Sequence, residues 1–528
     1  MKKLLQQKNF LVENMENKMD ETRNLPQPVR KALQLLKQAG GKPYIVGGGV
    51  RDLFMGKEPH DFDIASDLTP DKVLRALRKE NIHVVENLGN NYGVVVGVFD
   101  GLPIEIATFR KDKYGPKDPH RPAMVTYSKT IAEDLSRRDF TMNAMAMDAE
   151  GNITDPYHGR EDIQEKRLRA VGDPAERYAE DPLRMYRACR FVSQLGFTYT
   201  ETEDVEESPV FVKKDFWKEC NARNISMERV RQEMEKLLLG ENPDKGLRLL
   251  MTSGLIRSPF VVKKGKMVSY AAPMDRLSHL ENLEQNPTYH MHDAWEHTLQ
   301  AVRLVPQDLK LRWATLFHDA GKGLEGIRRT NPKTGMPTDY GHEVESALIV
   351  AEALTVFAYN DSFVKEVTWL VKNHMAMPIL LVANKRQMKH WVRSKVADFR
   401  TQKEMAVAFK ELEKIFAADL GASRHSEEEL ETLHEKMAFV HQLIETQMPI
   451  HSSDLAIKGT AVLSLIQGTE LDIRDVYAGL LKKVQDGVIA NEVAALTNAV
   501  RNAVLRAKVK TEVNSSDNKR LSGRPDET

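Results

Sequence analysis

The run Ile45-Val46-Gly47-Gly48-Gly49-Val50-Arg51-Asp52 is followed, ten residues after Arg51, by Asp61-Phe62-Asp63. Three glycines after a short apolar run let the backbone pass close to a bulky anion, because no Cβ stands in the way. N–H groups in such a turn, here around Gly48, cradle phosphate at a helix start, and Arg51 sits where its guanidinium can meet a triphosphate. Carboxylates at i and i+2 of a strand share a face, so Asp61 and Asp63 can hold divalent metal together. A phosphate cradle beside a carboxylate pair is what metal-assisted phosphoryl or nucleotidyl transfer requires. Glu105, in PIEIATFR, is either a third carboxylate of this set or half of a structural ion pair.

Two further charged segments could serve the same chemistry. Arg137, Arg138 and Asp139 in LSRRDFTMN suit phosphate and ribose-hydroxyl contacts, or else a charge cluster at a helix start. In EDPLRMYRACRF, Asp181, Arg184, Arg187 and Arg190 recur every third residue. On an α-helix such steps advance about 300°, so the four form one slowly drifting stripe. Like charges along a stripe cost stability unless an anion neutralises them, which points to RNA or a triphosphate. The bland alternative is a solvated helix face.

Taken together, IVGGGVRD with HDFDIAS, RRDFTMNA and EDPLR resemble the signature of class II nucleotidyltransferases of the polymerase-β superfamily. That group comprises the bacterial tRNA CCA-adding enzymes and bacterial poly(A) polymerases. The resemblance implies Mg²⁺ held by the catalytic pair Asp61 and Asp63, with Gly48, Arg51, Arg138 and Asp139 on the nucleotide. Asp181 and Arg184 would read the base edge of CTP or ATP, and Arg187 and Arg190 would meet phosphates. Cytosine and adenine both offer an amino group at that edge, whereas uracil and guanine present a carbonyl. The polar, Pro- and Gly-bearing stretch Lys111–Tyr127 reads as a mobile loop. In the family, a loop here is needed for the final A.

A second constellation follows in YHMHDAWEHTLQAV, LRWATLFHDAGKG, YGHEVES, VKNHMAM and IFAADLGAS. His297, the pair His318-Asp319, and Asp419 resemble an HD metal-dependent phosphohydrolase domain in order and spacing, and His342 and His374 fit the ligands of its dinuclear variants. Neutral imidazoles and carboxylates from several helices can clamp one or two divalent cations, here a transition metal of unidentified kind, and activate water. Lys322 could stabilise developing negative charge; His290 and His292 read as loop residues.

Short apolar segments at Tyr44–Val46, Phe62–Ala65, Val94–Phe99 and Ile104–Thr108, separated by a helix at Pro70–Lys79, predict a small one-sheet unit. Helical periodicity dominates afterwards. The expected class is α+β. A small mixed α/β polymerase-β-like head (28–155) precedes an all-helical neck and body (156–270), a helical HD domain (271–447), a helical tail on the tRNA (448–508) and a disordered end (509–528).

Lys plus Arg balances Asp plus Glu at 76 each, which argues for a local basic groove rather than a uniformly basic wrapper. Two cysteines imply no disulfide framework. No apolar run approaches the roughly 18 residues of a membrane span, and a cytoplasmic protein is expected. The reading as a whole is CCA addition to a tRNA 3′ end from CTP and ATP. Alternatives are poly(A) or A-only addition, or an HD phosphohydrolase acting on nucleotides or RNA ends.

Overall fold

Helix α1 (Gln27–Gln38) turns Val29, Ala32, Leu33, Leu35 and Leu36 inward at helical spacing and stops before Gly40, whose φ of +84° continues no helix. It opens the first of two compact units in a computed structural model describing residues 25–85, 93–115, 118–200, 216–425 and 427–521. The first unit comprises Met1–His279 with Val356–Ala358, and the second Leu280–Thr355 with Tyr359–Thr528.

In the first unit, β1 (Tyr44–Val46), helix α2 (Gly48–Phe54), β2 (Asp63–Ser66), helix α3 (Pro70–Lys79), β3 (His83–Val85), β4 (Val94–Phe99) and β5 (Leu102–Thr108) come first. A long hairpin of β6 (Arg110–Gly115) and β7 (Asp118–Tyr127) follows, then α4 (Ile131–Ser136), β8 (Ala146–Asp148) and β9 (Ile153–Thr154). The seven-stranded sheet has the order β3-β4-β5-β2-β1-β8-β9. Its β2–β5 pair is parallel, with Asp63 opposite Glu105, and β1 runs antiparallel to β2, with Val46 opposite Asp63. Register thus brings the glycine turn after Val46 and the carboxylates of β2 and β5 to one end of the sheet. Ile64 and Ile106 are fully buried beside them, which fixes which face each acidic neighbour can take.

Where a mobile loop is expected at 111–127, the chain forms the β6–β7 hairpin instead. The register runs from Arg110 opposite Tyr127 to Gly115 opposite Asp118. Runs such as Val125-Thr126-Tyr127 carry enough β-branched and aromatic character to pair.

The helical part follows as α5 (Gly159–Gln164), α6 (Pro174–Glu180), α7 (Leu183–Leu195), α8 (Met227–Leu238) and α9 (Pro243–Thr252). It is not wholly helical: Phe260–Lys264 and Met267–Ala271 pair as a hairpin across the expected 270/271 boundary.

The second unit contains α10 (Ala294–Leu304), α11 (Leu309–Phe317), α12 (His342–Val356), α13 (Asp361–Asn373), α14 (Gln402–Ala422) and α15 (Glu427–Gln447). It ends in α16 (Gly459–Ile466), α17 (Ile473–Gln485) and α18 (Val493–Leu521), which build a separate small core around Val462, Leu480, Leu496 and Val500. Helix α18 continues through Leu521, where disorder is expected from residue 509. A polar composition argues against a core but does not stop a helix, and no Gly or Pro interrupts this stretch before Gly523. Residues 522–528 lie outside the described ones.

The α+β class is as expected: a small sheet-bearing head followed by helices. Gly47 is the backbone position on which the head's turn depends. Its φ is +71° with ψ −130°, and a Cβ there would lie 2.9 Å from Arg138 Nη1. Gly47→Ala is expected to destabilise the protein by about 1–3 kcal/mol, the usual cost of a side chain in so sparse a region. Urea unfolding followed by circular dichroism would measure it.

Candidate active site and metal centre

Asp61 sits two residues before Asp63, the first residue of β2, and so just outside the strand rather than on it. The alternation nevertheless holds, with Asp61 and Asp63 exposed on either side of buried Phe62. Glu105 stands opposite Asp63 in the parallel register, so the third-carboxylate alternative is the one whose geometry is present. Although Asp63 is open to solvent on one side, desolvation by the protein packed around its carboxyl, then the charges of Glu105 and Asp61, raise its pKa against the opposing pull of Arg138. Three acids with too little cationic compensation suit a bound divalent cation. Gly49 completes the turn, since a Cβ there would meet the Asp61 carbonyl oxygen at 3.3 Å.

The arginines are gathered by buried acids of the chain itself. On α4, Asp134 (1% exposed) accepts from Arg137 Nη2 at 2.8 Å and from Arg138 Nη2 at 3.1 Å, leaving Arg138 against Gly47. Asp139, expected on the ribose, accepts from Arg187 Nε at 2.7 Å and from Asn143 Nδ2 at 3.2 Å. Burial works against its charge, yet Arg187 and Asn143 hold its carboxyl far below the ordinary carboxylate range.

Arg51 donates from Nε to Asp52 at 2.9 Å and from Nη1 to the Asn143 side-chain oxygen at 2.9 Å. Arg184 is 6% exposed; Nη1 meets the Arg177 carbonyl at 2.9 Å and Glu180 at 2.8 Å, and Nη2 the Arg137 carbonyl at 2.8 Å. Arg190 Nε lies 3.2 Å from Glu233 on α8. Burial and the neighbouring Arg187 bring its pKa down to about 10. Asp181 caps the end of α6 and meets Arg229 Nη2 at 3.1 Å.

The stripe at Arg184, Arg187 and Arg190 is therefore neither a solvated face nor dependent on an external anion. Glu180, Asp139 and Glu233 neutralise it from within. Phe191 binds the group together, with the Arg190, Arg51 and Arg187 guanidinium carbons 4.1, 5.5 and 5.5 Å from its ring centre. Sequence reasoning missed Asp134, Glu180, Glu233 and Arg229. The i, i+4 spacings of Asp134 with Arg138 and of Arg229 with Glu233 were the available signal.

In the second unit, His297 (α10), His318 and Asp319 (after α11), His342 (α12), His374 (after α13) and Asp419 (α14) converge, all buried. They form two triads, His297–His318–Asp419 and Asp319–His342–His374. His297 Nε2 is 3.1 Å from Asp419 and 3.3 Å from His318 Nε2; His342 Nε2 is 3.0 Å from Asp319 and 3.2 Å from His374 Nε2. Behind each ring, Nδ1 faces a backbone carbonyl: Ala422 for His297 (3.3 Å), Thr315 for His318 (2.6 Å), Asp339 for His342 (2.7 Å) and Val371 for His374 (2.7 Å). A carbonyl only accepts, so each Nδ1 carries a proton, and the inward Nε2 is the atom left to take a metal or, beside Asp319 and Asp419, a proton. Lone pairs packed 3.2–3.3 Å apart repel unless a cation sits among them, and the donor set fits a divalent metal. Burial above all pushes the His318 pKa down to about 4, keeping that ring neutral as a ligand must be. Lys322 Nζ bonds Asp319 at 2.7 Å and the Gln285 side-chain oxygen at 2.8 Å. His290 lies in a loop with its ring centre 5.0 Å from that of His297.

Residues 43–169 match the family described as "Poly A polymerase head domain". Residues 220–261 match "Probable RNA and SrmB- binding site of polymerase A", and residues 290–419 match the HD domain. The chain is 42% identical over 234 residues to a CCA-adding enzyme of Geobacillus sp. (strain WCH70), covering 44% of this chain and 54% of that one. To the CCA-adding enzyme of Limosilactobacillus reuteri (strain DSM 20016) it is 38% identical over 262 residues, covering 49% and 61%. The matched part thus spans little more than half the length of these curated relatives.

Two solved structures share the fold. One is the Bacillus stearothermophilus CCA-adding enzyme in complex with CTP, 24% identical, with a TM-score of 0.57 over 92% of this chain and 100% of that one. The other is the Thermotoga maritima CCA-adding enzyme complexed with tRNA_CCA, 17% identical, with a TM-score of 0.53 over 92% and 98%. Among the described residues no helix is long and apolar enough to cross a membrane.

Two outcomes follow from this geometry. Because the Asp63 pKa is raised on folding, its ionised form opposes folding, and the penalty grows as pH rises through that raised value. Asp63→Asn is therefore expected to raise the unfolding midpoint of metal-free protein at neutral pH. In the HD unit, stripping divalent metal should lower the melting temperature, and re-adding Mn²⁺ should restore it. His318→Ala should lack that response in differential scanning calorimetry.

Proposed function

We propose that this chain adds C, C and A to the 3′ end of tRNA, using CTP and ATP without a nucleic-acid template. The observation that carries this reading is the register placing Asp63 beside Glu105 at the end of the sheet where the glycine turn lies, in a head whose matched relatives are CCA-adding enzymes. Asp61 and Asp63, with Glu105 beside them, would hold Mg²⁺. When bound, the metal lowers the pKa of an attacking 3′-hydroxyl and neutralises the pyrophosphate that leaves.

The remaining steps belong to the chain's own residues. Gly47–Gly49 let the backbone approach the triphosphate, and Arg138, held by Asp134 against that turn, orients it. Arg51, Arg187 and Arg190 gather around Phe191 and, already paired with acids of the chain, hold the wall of the site in place. Asp181 accepts from the amino group that cytosine and adenine share, so protein stands in place of a template. Helix α8, inside the stretch matching an RNA-binding family, lies against this site and would lead the RNA end toward it. Buried, unpaired Cys189 and Cys220 accord with work in the reducing cytoplasm.

The HD cluster favours a second activity on the same chain, hydrolysis of a phosphoester at a transition-metal centre, with Lys322 placed to meet the phosphate.

The deciding assay supplies tRNAs ending before C, CC or CCA with each labelled NTP and sequences the products. Addition that stops at CCA, and is lost in Asp61→Ala, is the expected result. A homopolymeric A tail would mean poly(A) polymerase, and Asp61→Ala retaining full incorporation would remove the head as the catalyst.

A further inference from the structure

The arginine stripe of the head is neutralised from within, so it is not the free positive face that an RNA backbone calls for. Such a face stands in the second unit. From His374 through Ala397 the chain holds no Asp or Glu, yet Lys385, Arg386, Lys389, Arg393 and Lys395 all fall there, in a protein whose charges otherwise balance. Asn384 and Gln387 close a capping box that starts the helix Lys385–Ser394, and Met388 and Val392 bury its apolar side. At 3.6 residues per turn, Lys385, Lys389, Arg393 and Arg386 then lie within an arc of about 100°.

Of these four, Arg393 is taken up by Asp486 at the end of α17. Lys385 lies 5.6 Å from the ring centre of Phe439, a contact that leaves its charge unmatched. Among the described residues, Lys385, Arg386 and Lys389 have no ion-pair partner, and Lys385 and Arg386 are exposed. Like charges one turn apart repel, and here no buried acid resolves the conflict as Asp139 and Glu233 do in the head. An anion with charges spaced along a line is the complement of such a band, and a nucleic-acid backbone is that anion. Ile379 and Val382, exposed on the preceding helix Met377–Val382, make anionic lipid the competitor to exclude. The geometry disfavours lipid, because a helix lying in a membrane surface needs its own apolar side, and this one spends it on the protein core.

We propose that the face made by Lys385, Arg386 and Lys389 docks the sugar–phosphate backbone of tRNA, giving the HD unit an RNA-holding role independent of its metal ligands. This rests on the reading that the chain acts on tRNA. The contact adds affinity for the RNA and leaves the transfer step itself alone.

The test compares the full chain with Arg386→Ala/Lys389→Ala and with Lys403→Ala/Lys414→Ala, which removes the same charge from exposed positions on α14, among its glutamates. Fluorescence anisotropy with a tRNA transcript at several salt concentrations reads binding, and incorporation of a single CTP reads turnover. The Arg386/Lys389 variant is expected to bind tRNA about tenfold more weakly, with the slope of log affinity against log salt shallower by about 2. Its KM for tRNA should rise in proportion, while kcat, the KM for CTP and the melting temperature stay at wild-type values. The α14 variant should bind as the wild type does. Equal weakening in both variants would reduce the effect to net charge, and unchanged binding in the first would leave a solvated helix face; either overturns the proposal. So would binding to phosphatidylserine vesicles that the Arg386/Lys389 variant loses while its tRNA binding persists. A wild-type chain that binds no tRNA would refute the tRNA reading and this proposal with it.

Discussion

A guanidinium does not shed its proton near neutral pH, so a chain that buries several of them must provide buried acceptors in equal measure. This head does so with buried Asp134, Asp139 and Glu233 and half-buried Glu180, the first and last of these pairs local and the others joining separate segments. Breaking one such pair leaves an uncompensated charge, which typically costs about 3–5 kcal/mol. The network therefore fixes geometry rather than adding much stability. Arg184 and Arg187 reach from α7 to the RRDF segment, and Arg138 of that segment rests on the glycine turn. The sheet end, the turn and the helical neck consequently behave as one positioned body.

The second unit faces the opposite electrostatic problem. Four imidazoles and two carboxylates are driven together by helices whose outward partners, the backbone carbonyls behind each Nδ1, turn the Nε2 atoms inward. The head encloses cations and supplies anions; the HD unit encloses donor atoms and leaves the cation to come from solution. Different elements meet each requirement: ion pairs between segments in one, and helix ends that aim carbonyls at ring nitrogens in the other.

How much of this was legible beforehand depends on range. The glycine turn, Asp61 and Asp63 were readable because both the turn and the alternation are local properties of the backbone. The six HD ligands were readable because their residue types are uncommon together and their order matched a known pattern. Glu105 was not decidable, since its place beside Asp63 depends on a parallel pairing of β2 with β5 that no local rule specifies. The fate of the arginine stripe was misjudged for the same reason. Spacing reveals that Arg184, Arg187 and Arg190 lie along one side of a helix, but not that Glu233, over forty residues later, comes to rest against it. The Pro and Gly of residues 111–127 point to a loop, while the pairing of the flanking runs outweighs both.

The closed charge pairing of the head bears on how such a sequence can drift. A substitution that deletes Glu233 or Asp139 alone strands a buried arginine, and one that deletes the arginine alone strands an acid. Neutral variation at these positions is therefore confined to paired exchanges across segments about fifty residues apart in sequence. Among descendants of this chain, the partners should covary as couples, and their joint history would record which contacts the fold has never been able to relinquish.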